Sequence, residues 1–241
     1  PTPVTPAQKP VETAPAEDDD QASTNWPQYR GKQATGVAEG HEIPEMFDVE
    51  SGENVKWRIE VDGMSHSAPV IWGDRLFLVT AVREDGEQEL RVGLYGEIAP
   101  VEDESEFRFE VHCYDKSTGE QLWKRVAWKG VPAIKRHTKG SHAQSTPTVD
   151  DERVVAFFGS EGLYAYDHDG NPLWERNFGV LDAGFFRDKD AQWGFASSPV
   201  LYGDRVVVQC DVQEDSFLAV LEAPDALAGP RGEHGQGAVR L

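Results

Sequence analysis

Histidine and tryptophan side chains recur in this sequence shortly before each of three Ser-x-Pro motifs. They are His66 and His142 before the first two motifs and Trp193 before the third. An imidazole ring can bind a metal ion or a proton near neutral pH, and an indole ring offers an apolar surface to a small molecule. If the fold brings the three loops together, the pattern predicts a small-molecule site or a pair of metal ligands. The alternative is that these are turn and packing residues repeated with the motif.

A second group of chemically distinctive residues is basic. Between Gln121 and Val149 the sequence contains no Asp or Glu, and the loop part of this stretch holds Lys135, Arg136 and Lys139. The whole chain has a formal net charge of −20. A basic loop on such a protein could contact an acidic partner, a sulfated sugar or a lipid head group. The alternative is a solvated loop without a partner.

The negative charge of the chain argues against two classes of main partner, although acidity of this size can also serve solubility alone. Its long-range field repels nucleic acid and anionic membrane surfaces. No apolar run approaches the roughly 18 residues that span a bilayer, so we expect no transmembrane segment. Cys113 and Cys210 lie in the apolar strand patterns of different repeats, which favours buried free thiols over a disulfide.

The motifs above belong to a sequence repeat. A phrase of Tyr-Asp, then Gly, then Leu-Trp is present at 114–123 and again at 166–174. Its tryptophans are about 50 residues apart, a spacing typical of one blade of a β-propeller. The Ser-x-Pro motifs precede it at 67–69, 145–147 and 197–199. A repeat of this length made of short strands cannot bury its own core, so successive repeats must stack.

Within each repeat, apolar and polar residues alternate as in half-buried strands, and Gly-Asp pairs mark tight turns. We name the four strands of a repeat A to D from the inside outwards. The predicted strands are a first D strand at 54–60; A to D at 68–72, 75–81, 107–114 and 121–127; A to D at 145–149, 153–159, 162–167 and 172–177; and A to C at 198–202, 205–211 and 216–221. An acidic insertion at 82–106 separates strands B and C of the first repeat. Helical periodicity is not evident, so the sequence predicts an all-β chain.

The two ends of the chain differ from the repeats. Residues 1–24 are rich in proline and acidic residues, and we expect a disordered tether of the kind that follows an export signal. Residues 25–221 hold the repeats. Residues 222–241 lack a third Gly-x-x-x-Trp phrase, so we expect an atypical, disordered tail and a repeat that stops before its last strand. The chain is therefore expected to be the N-terminal part of a propeller whose missing blades belong to a longer parent chain.

These motifs resemble those of the PQQ-like (quinoprotein dehydrogenase-like) β-propeller repeat family, in particular its exported bacterial members. The resemblance covers about residues 25–221 and includes the opening Asn25-Trp-Pro-Gln-Tyr-Arg-Gly31. It implies an eight-bladed ring of four-stranded antiparallel blades, here an incomplete ring of about three blades. In that family, tryptophans dock each blade onto the next, because an indole offers a large apolar face and one N–H donor. The residues at these docking positions are Trp57, Trp123 and Trp174.

The resemblance is compatible with two functions. The first is a non-catalytic scaffold of the periplasm or cell exterior, tethered through its N-terminal segment. Such a scaffold would bind protein or polysaccharide partners without a cofactor. The alternative is a fragment of a PQQ-dependent oxidoreductase, which would need PQQ and calcium. A third interpretation is a truncated product without a function of its own.

The sequence favours the scaffold over the enzyme. The vicinal Cys-Cys pair that is frequent in quinoprotein dehydrogenases is absent from it. No catalytic, cofactor-binding or metal-binding residue can be assigned by matching the motifs of those enzymes. We therefore expect binding rather than catalysis, and we expect no nucleic acid among the partners.

Overall fold

The computed structural model describes residues 24–38, 43–86, 88, 90, 100–101, 104–185 and 191–222, and the backbone of Gly237–Arg240. Apart from Thr24, the predicted tether lies outside the described residues, as do most of the predicted tail and much of the acidic insertion. In the described part of the chain, no helix has the length and apolar character needed to cross a membrane.

Twelve strands of the described chain form three antiparallel sheets, each with its four strands side by side in chain order. The first sheet contains β1 (Val70–Trp72), β2 (Arg75–Arg83), β3 (Phe107–Asp115) and β4 (Gln121–Gly130). The second contains β5 (Thr148–Val149), β6 (Arg153–Phe157), β7 (Leu163–Asp167) and β8 (Pro172–Arg176). The third contains β9 (Val200–Tyr202), β10 (Arg205–Cys210), β11 (Phe217–Glu222) and β12 (Gly237–Arg240). This architecture confirms the predicted fold class: the sheets are blades of an incomplete β-propeller.

The core lies between the blades, and the second blade is buried on both faces. All five residues of β6 are buried. Val154 and Ala156 pack toward the first blade, whereas Val155 and Phe157 pack toward the third. Because side chains alternate along a strand, a run of consecutive apolar residues is what a sheet covered on both sides requires.

Tryptophan docking joins the first two blades. Trp123 in β4 donates from Nε1 to the carbonyl oxygen of His168, 2.8 Å away, in the turn between β7 and β8. Its ring lies against Gly170, where a Cβ would be 2.7 Å from the indole. Gly170 also has φ +80°, a conformation that side chains other than glycine rarely adopt. The glycine of the repeated phrase therefore has two roles: it adopts the backbone conformation of its own turn, and it leaves room for the tryptophan of the preceding blade.

The first D strand predicted at 54–60 is not present as a strand. A D strand pairs with the outer edge of a C strand, and among the described strands none offers such an edge to this segment. Trp57 nevertheless donates from Nε1 to the carbonyl oxygen of Lys116, 3.0 Å away, and lies against Gly119. The docking contact thus forms as it does at Trp123, although the strand does not.

The predicted tail also needs a correction. Gly237–Arg240 is a strand, paired antiparallel with β11 from Phe217 to Val220, although the sequence there has no aromatic residue and no alternation. Pairing in a sheet depends on backbone groups, and the free edge of β11 offers them to any extended segment that reaches it. Residues 223–236, where the tail was expected to be disordered, lie outside the described residues.

An N-terminal segment crosses the inner edges of two blades. Trp26 exchanges both backbone hydrogen bonds with Ile71 of β1, each 2.9 Å long. The carbonyl oxygen of the next residue, Pro27, accepts a hydrogen bond of 2.8 Å from the N–H of Val149 in β5. The opening motif of the repeats therefore acts as a short extra strand on the inner side of the blades.

The Ser-x-Pro motifs link neighbouring blades through the residue before each proline. The N–H of Ala68 donates to Oγ1 of Thr146 over 3.1 Å, and the N–H of Thr146 donates to Oγ of Ser198 over 3.0 Å. A backbone N–H of each blade thus donates to a hydroxyl group of the next blade. These hydrogen bonds explain the hydroxyl residues Thr146 and Ser198 at that point of the second and third motifs.

Candidate functional site

A cleft opens where the loops before the innermost strands meet the N-terminal segment. Its volume is about 490 Å³, within the usual range of small-ligand sites. The N-terminal segment supplies Gln28, Tyr29 and Ala34. The blades supply His66 from the first, Gln144 and Thr146 from the second, and Ala196, Ser198, Pro199 and Val200 from the third.

The lining of this cleft combines apolar side chains with uncharged polar ones and holds no Asp, Glu, Lys or Arg. The hydroxyls of Thr146 and Ser198 each accept a backbone N–H, so each keeps a proton that it can donate. The amide of Gln144 donates from Nε2 to the carbonyl oxygen of Trp193, 2.9 Å away, which fixes its position. Amides, hydroxyls and an aromatic ring bind neutral polar groups such as peptide amides or sugar hydroxyls.

Of the three residues predicted to share this site, the structure places one in the cleft. His66 lines it. The ring of His142 instead packs against Phe107, with ring centroids 4.9 Å apart. The ring of Trp193 lies tilted against that of His137, with centroids 4.4 Å apart, and 43% of the residue's surface remains exposed. The ring of His142 thus makes the packing contact that the alternative interpretation expected, and it is not among the residues that line the cleft.

The basic loop is also different from the prediction. Arg136 is only 2% exposed, and its Nη1 donates to the carbonyl oxygen of Gly140 over 3.0 Å. Its own carbonyl oxygen accepts the N–H of Val101 from the end of the acidic insertion. Arg136 is therefore not available to a partner, because its side chain is buried and holds its own loop in place. Lys135 is half-buried, and Lys139 is exposed.

A buried polar cluster that the sequence analysis missed lies on the first blade. Glu110 and His112 are each 1% exposed and neighbour one another on the same face of β3. Nε2 of His112 lies 2.9 Å from Oγ1 of Thr80 and 3.5 Å from Oε2 of Glu110. Lys124 Nζ lies 3.3 Å from the same carboxylate oxygen. Burial lowers the pKa of His112 to about 4, so the imidazole is neutral at pH 7.

This cluster is closed to substrates. The segment before β1 covers it: Met64 pairs with Ala81 through both backbone hydrogen bonds, and Asp62 lies 3.8 Å from Lys124. A sequence signal for it existed, since Arg108, Glu110 and His112 occupy alternate positions of one strand where apolar residues are usual. That signal indicates a polar face, which is ordinarily solvated, so burial was not the expected outcome.

The two cysteines are buried and free, as the strand pattern predicted. Burial raises the pKa of both thiols to about 11. They are therefore protonated and unreactive at neutral pH. Within the described ranges, no three His, Cys, Asp or Glu side chains are grouped so that they could hold a metal ion.

Comparison with protein families gives one match. The model described as "Outer membrane protein assembly factor BamB", of the PQQ-like repeat type, matches residues 105–225, half of the chain. The chain belongs to this family. The match begins just before β3 and extends to the end of β11, so it includes both copies of the tryptophan phrase. No curated protein matches the sequence significantly.

Solved structures of low identity resemble parts of this chain. Quinohemoprotein alcohol dehydrogenase ADHIIG of Pseudomonas putida HK5 is 14% identical over 69% of this chain and 20% of its own, with a TM-score of 0.37. The quinohemoprotein alcohol dehydrogenase of Comamonas testosteroni is 15% identical over 83% and 25%, with a TM-score of 0.44. BamB of Moraxella catarrhalis is 15% identical over 70% and 51%, with a TM-score of 0.32. The chain spans between a fifth and a half of these proteins' length, and similarity at this level does not distinguish a dehydrogenase from an assembly factor.

The cleft residues do not fit calcium or PQQ, the two groups that the enzymatic alternative would need. Calcium prefers carboxylate and carbonyl oxygens, and the cleft lining contains no carboxylate. PQQ is an anionic quinone, and the lining contains no Lys or Arg to pair with it. The donor set of this cleft is that of a site for neutral polar groups.

Proposed function

We propose that this chain is a non-catalytic propeller scaffold that binds polypeptide partners at the cleft between the N-terminal segment and the blades. The observation that carries the proposal is the lining of that cleft, which combines amides, hydroxyls and the exposed ring of Tyr29 without a charged side chain. Such a surface matches peptide groups, which are neutral and carry both donors and acceptors. It lacks the paired acid and base that proton-transfer chemistry requires.

The family description supports an exported location. The matching model is named after an outer-membrane assembly factor, and we propose that this chain works on the same side of the inner membrane, in the periplasm or outside the cell. The predicted N-terminal tether would then hold the propeller near a membrane while the blades remain in solution. Polysaccharides, which also present neutral hydroxyls, are the competing ligand class at this cleft.

Binding of labelled peptides tests the proposal. A set of unstructured peptides of about 12 residues with low net charge is titrated into the chain, and fluorescence anisotropy is measured. We expect saturable binding that weakens at least fivefold in Tyr29→Ala. Phe47→Ala is the matched control, because Phe47 is also an exposed aromatic residue, 68% against 56% for Tyr29, and does not line the cleft. Binding of neutral oligosaccharides but of no peptide would reject polypeptide partners.

The enzymatic alternative is tested separately. The chain is incubated with PQQ and Ca²⁺, and the reduction of a redox dye is followed with a panel of alcohols and aldose sugars. We expect no reduction above the rate of the cofactors without protein. Turnover near 1 s⁻¹, which is within the ordinary range of enzymes, would reject the scaffold proposal.

A further inference from the structure

The inner edges of the first two blades are already occupied by an extended backbone. Ile71 exchanges two hydrogen bonds with Trp26, and Val149 donates to Pro27. The hydroxyl of Thr148 donates to the same Pro27 oxygen over 3.2 Å. The chain itself therefore shows how a peptide binds at this position, by backbone pairing with the innermost strand.

The equivalent position of the third blade is Leu201. Like Ile71 and Val149, it is the second residue after the proline of a Ser-x-Pro motif. Leu201 lies opposite Val206 as Ile71 lies opposite Leu76. Because antiparallel pairs alternate between bonded and non-bonded, its N–H and C=O point away from β10, toward the axis. No backbone group of the described chain pairs with them there.

A turn in the N-terminal segment leaves this edge open. The N–H of Gly31 donates to the carbonyl oxygen of Gln28 over 2.8 Å, and the chain reverses between them. Gly31 has φ +73°, and a Cβ there would be 2.5 Å from the ring of Trp26, so glycine is required. Gln28 and Tyr29 then line the cleft together with the residues that lead into β9, so the open space adjoins the unpaired edge.

We propose that an uncharged, extended segment of a partner polypeptide enters this cleft and pairs with both backbone groups of Leu201. The segment adds to the inner edge of β9 as Trp26 adds to that of β1, which is strand addition at a free sheet edge. The neutral lining selects against charged side chains, whose desolvation would be uncompensated. This inference rests on the proposed scaffold function and names its binding mode and the class of its ligand.

Amide hydrogen exchange provides the test, with a probe that copies the observed pairing. The probe is the acetylated and amidated peptide Thr-Asn-Trp-Pro-Gln, identical to residues 24–28. Exchange at Leu201 is expected to slow at least tenfold when the peptide binds to the whole chain. Ile71 and Val149 are expected to stay protected at all times, because their partners are already in place. A change at Ile71 or Val149 without one at Leu201 would overturn the proposal, since the peptide would then displace the chain's own segment.

Two variants isolate the backbone donor. Leu201→Pro removes the N–H and leaves the ladder with β10 intact, because the lost donor faces away from that strand. Leu201→Ala shortens the side chain and keeps the N–H. Peptide affinity is expected to fall more than tenfold in Leu201→Pro and less than threefold in Leu201→Ala. A probe methylated on the tryptophan backbone nitrogen is likewise expected to bind at least tenfold more weakly.

The outcomes separate this inference from the proposed function. If the wild type binds peptides and Leu201→Pro binds them equally well, the strand-addition mode is wrong and the scaffold function stands. If the wild type binds no peptide, the scaffold proposal itself fails. Circular dichroism of each variant shows whether it is folded, and the exchange experiment on the wild type needs no variant.

Discussion

The contact between the first two blades and the contact between the second and third use equivalent donors, but the structure describes the accepting turn only for the first contact. In the first contact, Trp123 and Arg75 both donate to the carbonyl oxygen of His168. Arg125 donates from Nε to the carbonyl oxygen of Gly170 over 2.7 Å. Three side chains of one blade thus hold two carbonyl groups in a single turn of the next.

The second contact repeats the donors at Arg153, Trp174 and Arg176. Nε1 of Trp174 is buried and has no hydrogen-bond partner among the described residues. The same is true of Nη1 of Arg153, whose guanidinium group contacts Glu152 through Nη2. Arg176 turns back to the carbonyl oxygen of Glu175. Residues 223–236, between β11 and β12, lie outside the described residues.

The contacts of Trp123 and Arg125 with the 168–170 turn show that the tryptophan phrase forms an interface between blades. Its Trp and Arg residues face forward to the next blade, whereas its Asp and Gly residues build a turn that receives the tryptophan from the blade before. Asp115 shapes that turn by accepting the backbone N–H groups of Ser117 and Thr118, and these contacts, with the hydroxyls of both residues, lower its pKa to about 2.

The largest expected effect comes from the glycine that receives the indole. Gly170→Ala combines a left-handed conformation with an overlap against Trp123, and we expect the free energy of unfolding to fall by about 4 kcal/mol. Gly203→Ala is the control, since Gly203 has φ +58° but nothing within 4 Å of its Cβ position. It should cost about 1 kcal/mol, from backbone strain alone. Equal losses in denaturant unfolding would show that the indole contact is unimportant.

Lowering the pH is expected to weaken the buried polar cluster around His112 and to leave the contact between the blades unchanged. Because burial lowers the pKa of His112 to about 4, the unfolded chain binds a proton near pH 6.5 that the folded chain does not. The free energy of unfolding is therefore highest above pH 6.5 and falls by about 3 kcal/mol as the pH decreases to about 4. Tyr164 and Tyr166, at the contact between the blades, have their pKa raised to about 12 by burial and do not titrate in this range.

His112→Gln removes this titration and is expected to flatten the decline of stability between pH 6.5 and 4. The measurement is urea unfolding of both proteins at a series of pH values. A decline as steep as that of the wild type would assign the acid sensitivity to carboxylates instead.

The sequence predicted the repeat and its strands because alternation and turn residues are local signals. It did not predict the position of the His142 side chain, because residues near the same motif of a repeat need not have equivalent positions in the fold. His66 directly precedes its Ser-x-Pro motif, whereas His142 stands three residues before Ser145, and such an offset redirects a side chain. Nor did it predict that the 55–64 segment covers Glu110, since that contact depends on tertiary packing and not on a strand pattern.

Matched tryptophan substitutions compare the two contacts directly. Trp123→Phe removes an N–H that has an acceptor and part of the ring, at an expected cost of about 2 kcal/mol. Trp174→Phe removes an N–H that has none in the described structure, so it should cost about 1 kcal/mol less. Thermal unfolding of the two variants provides the comparison. A larger loss at Trp174 would mean that its N–H has an acceptor after all.

The smallest expected loss of stability comes from the hydrogen bonds between the Ser-x-Pro motifs, which are present at both contacts between blades. Thr146→Val removes the hydroxyl that accepts Ala68 N–H, and Ser198→Ala removes the one that accepts Thr146 N–H. Each change leaves a backbone donor without its partner and should cost about 1 kcal/mol. Because these hydrogen bonds are alike in both contacts, the two losses should agree within about 0.5 kcal/mol. A clear inequality in chemical unfolding would show that these hydrogen bonds weaken along the blades.

Hydrogen exchange of the indole N–H groups tests the central comparison most directly. The chain has seven tryptophans, whose indole signals can be assigned by single Trp→Phe substitutions in ¹⁵N-labelled protein. The structure predicts slow exchange for Trp57 and Trp123, which donate to the carbonyl oxygens of Lys116 and His168. Exchange at Trp174 should be at least tenfold faster. Equal protection of all three would contradict the account, because the second contact would then contain the acceptor that the first one has.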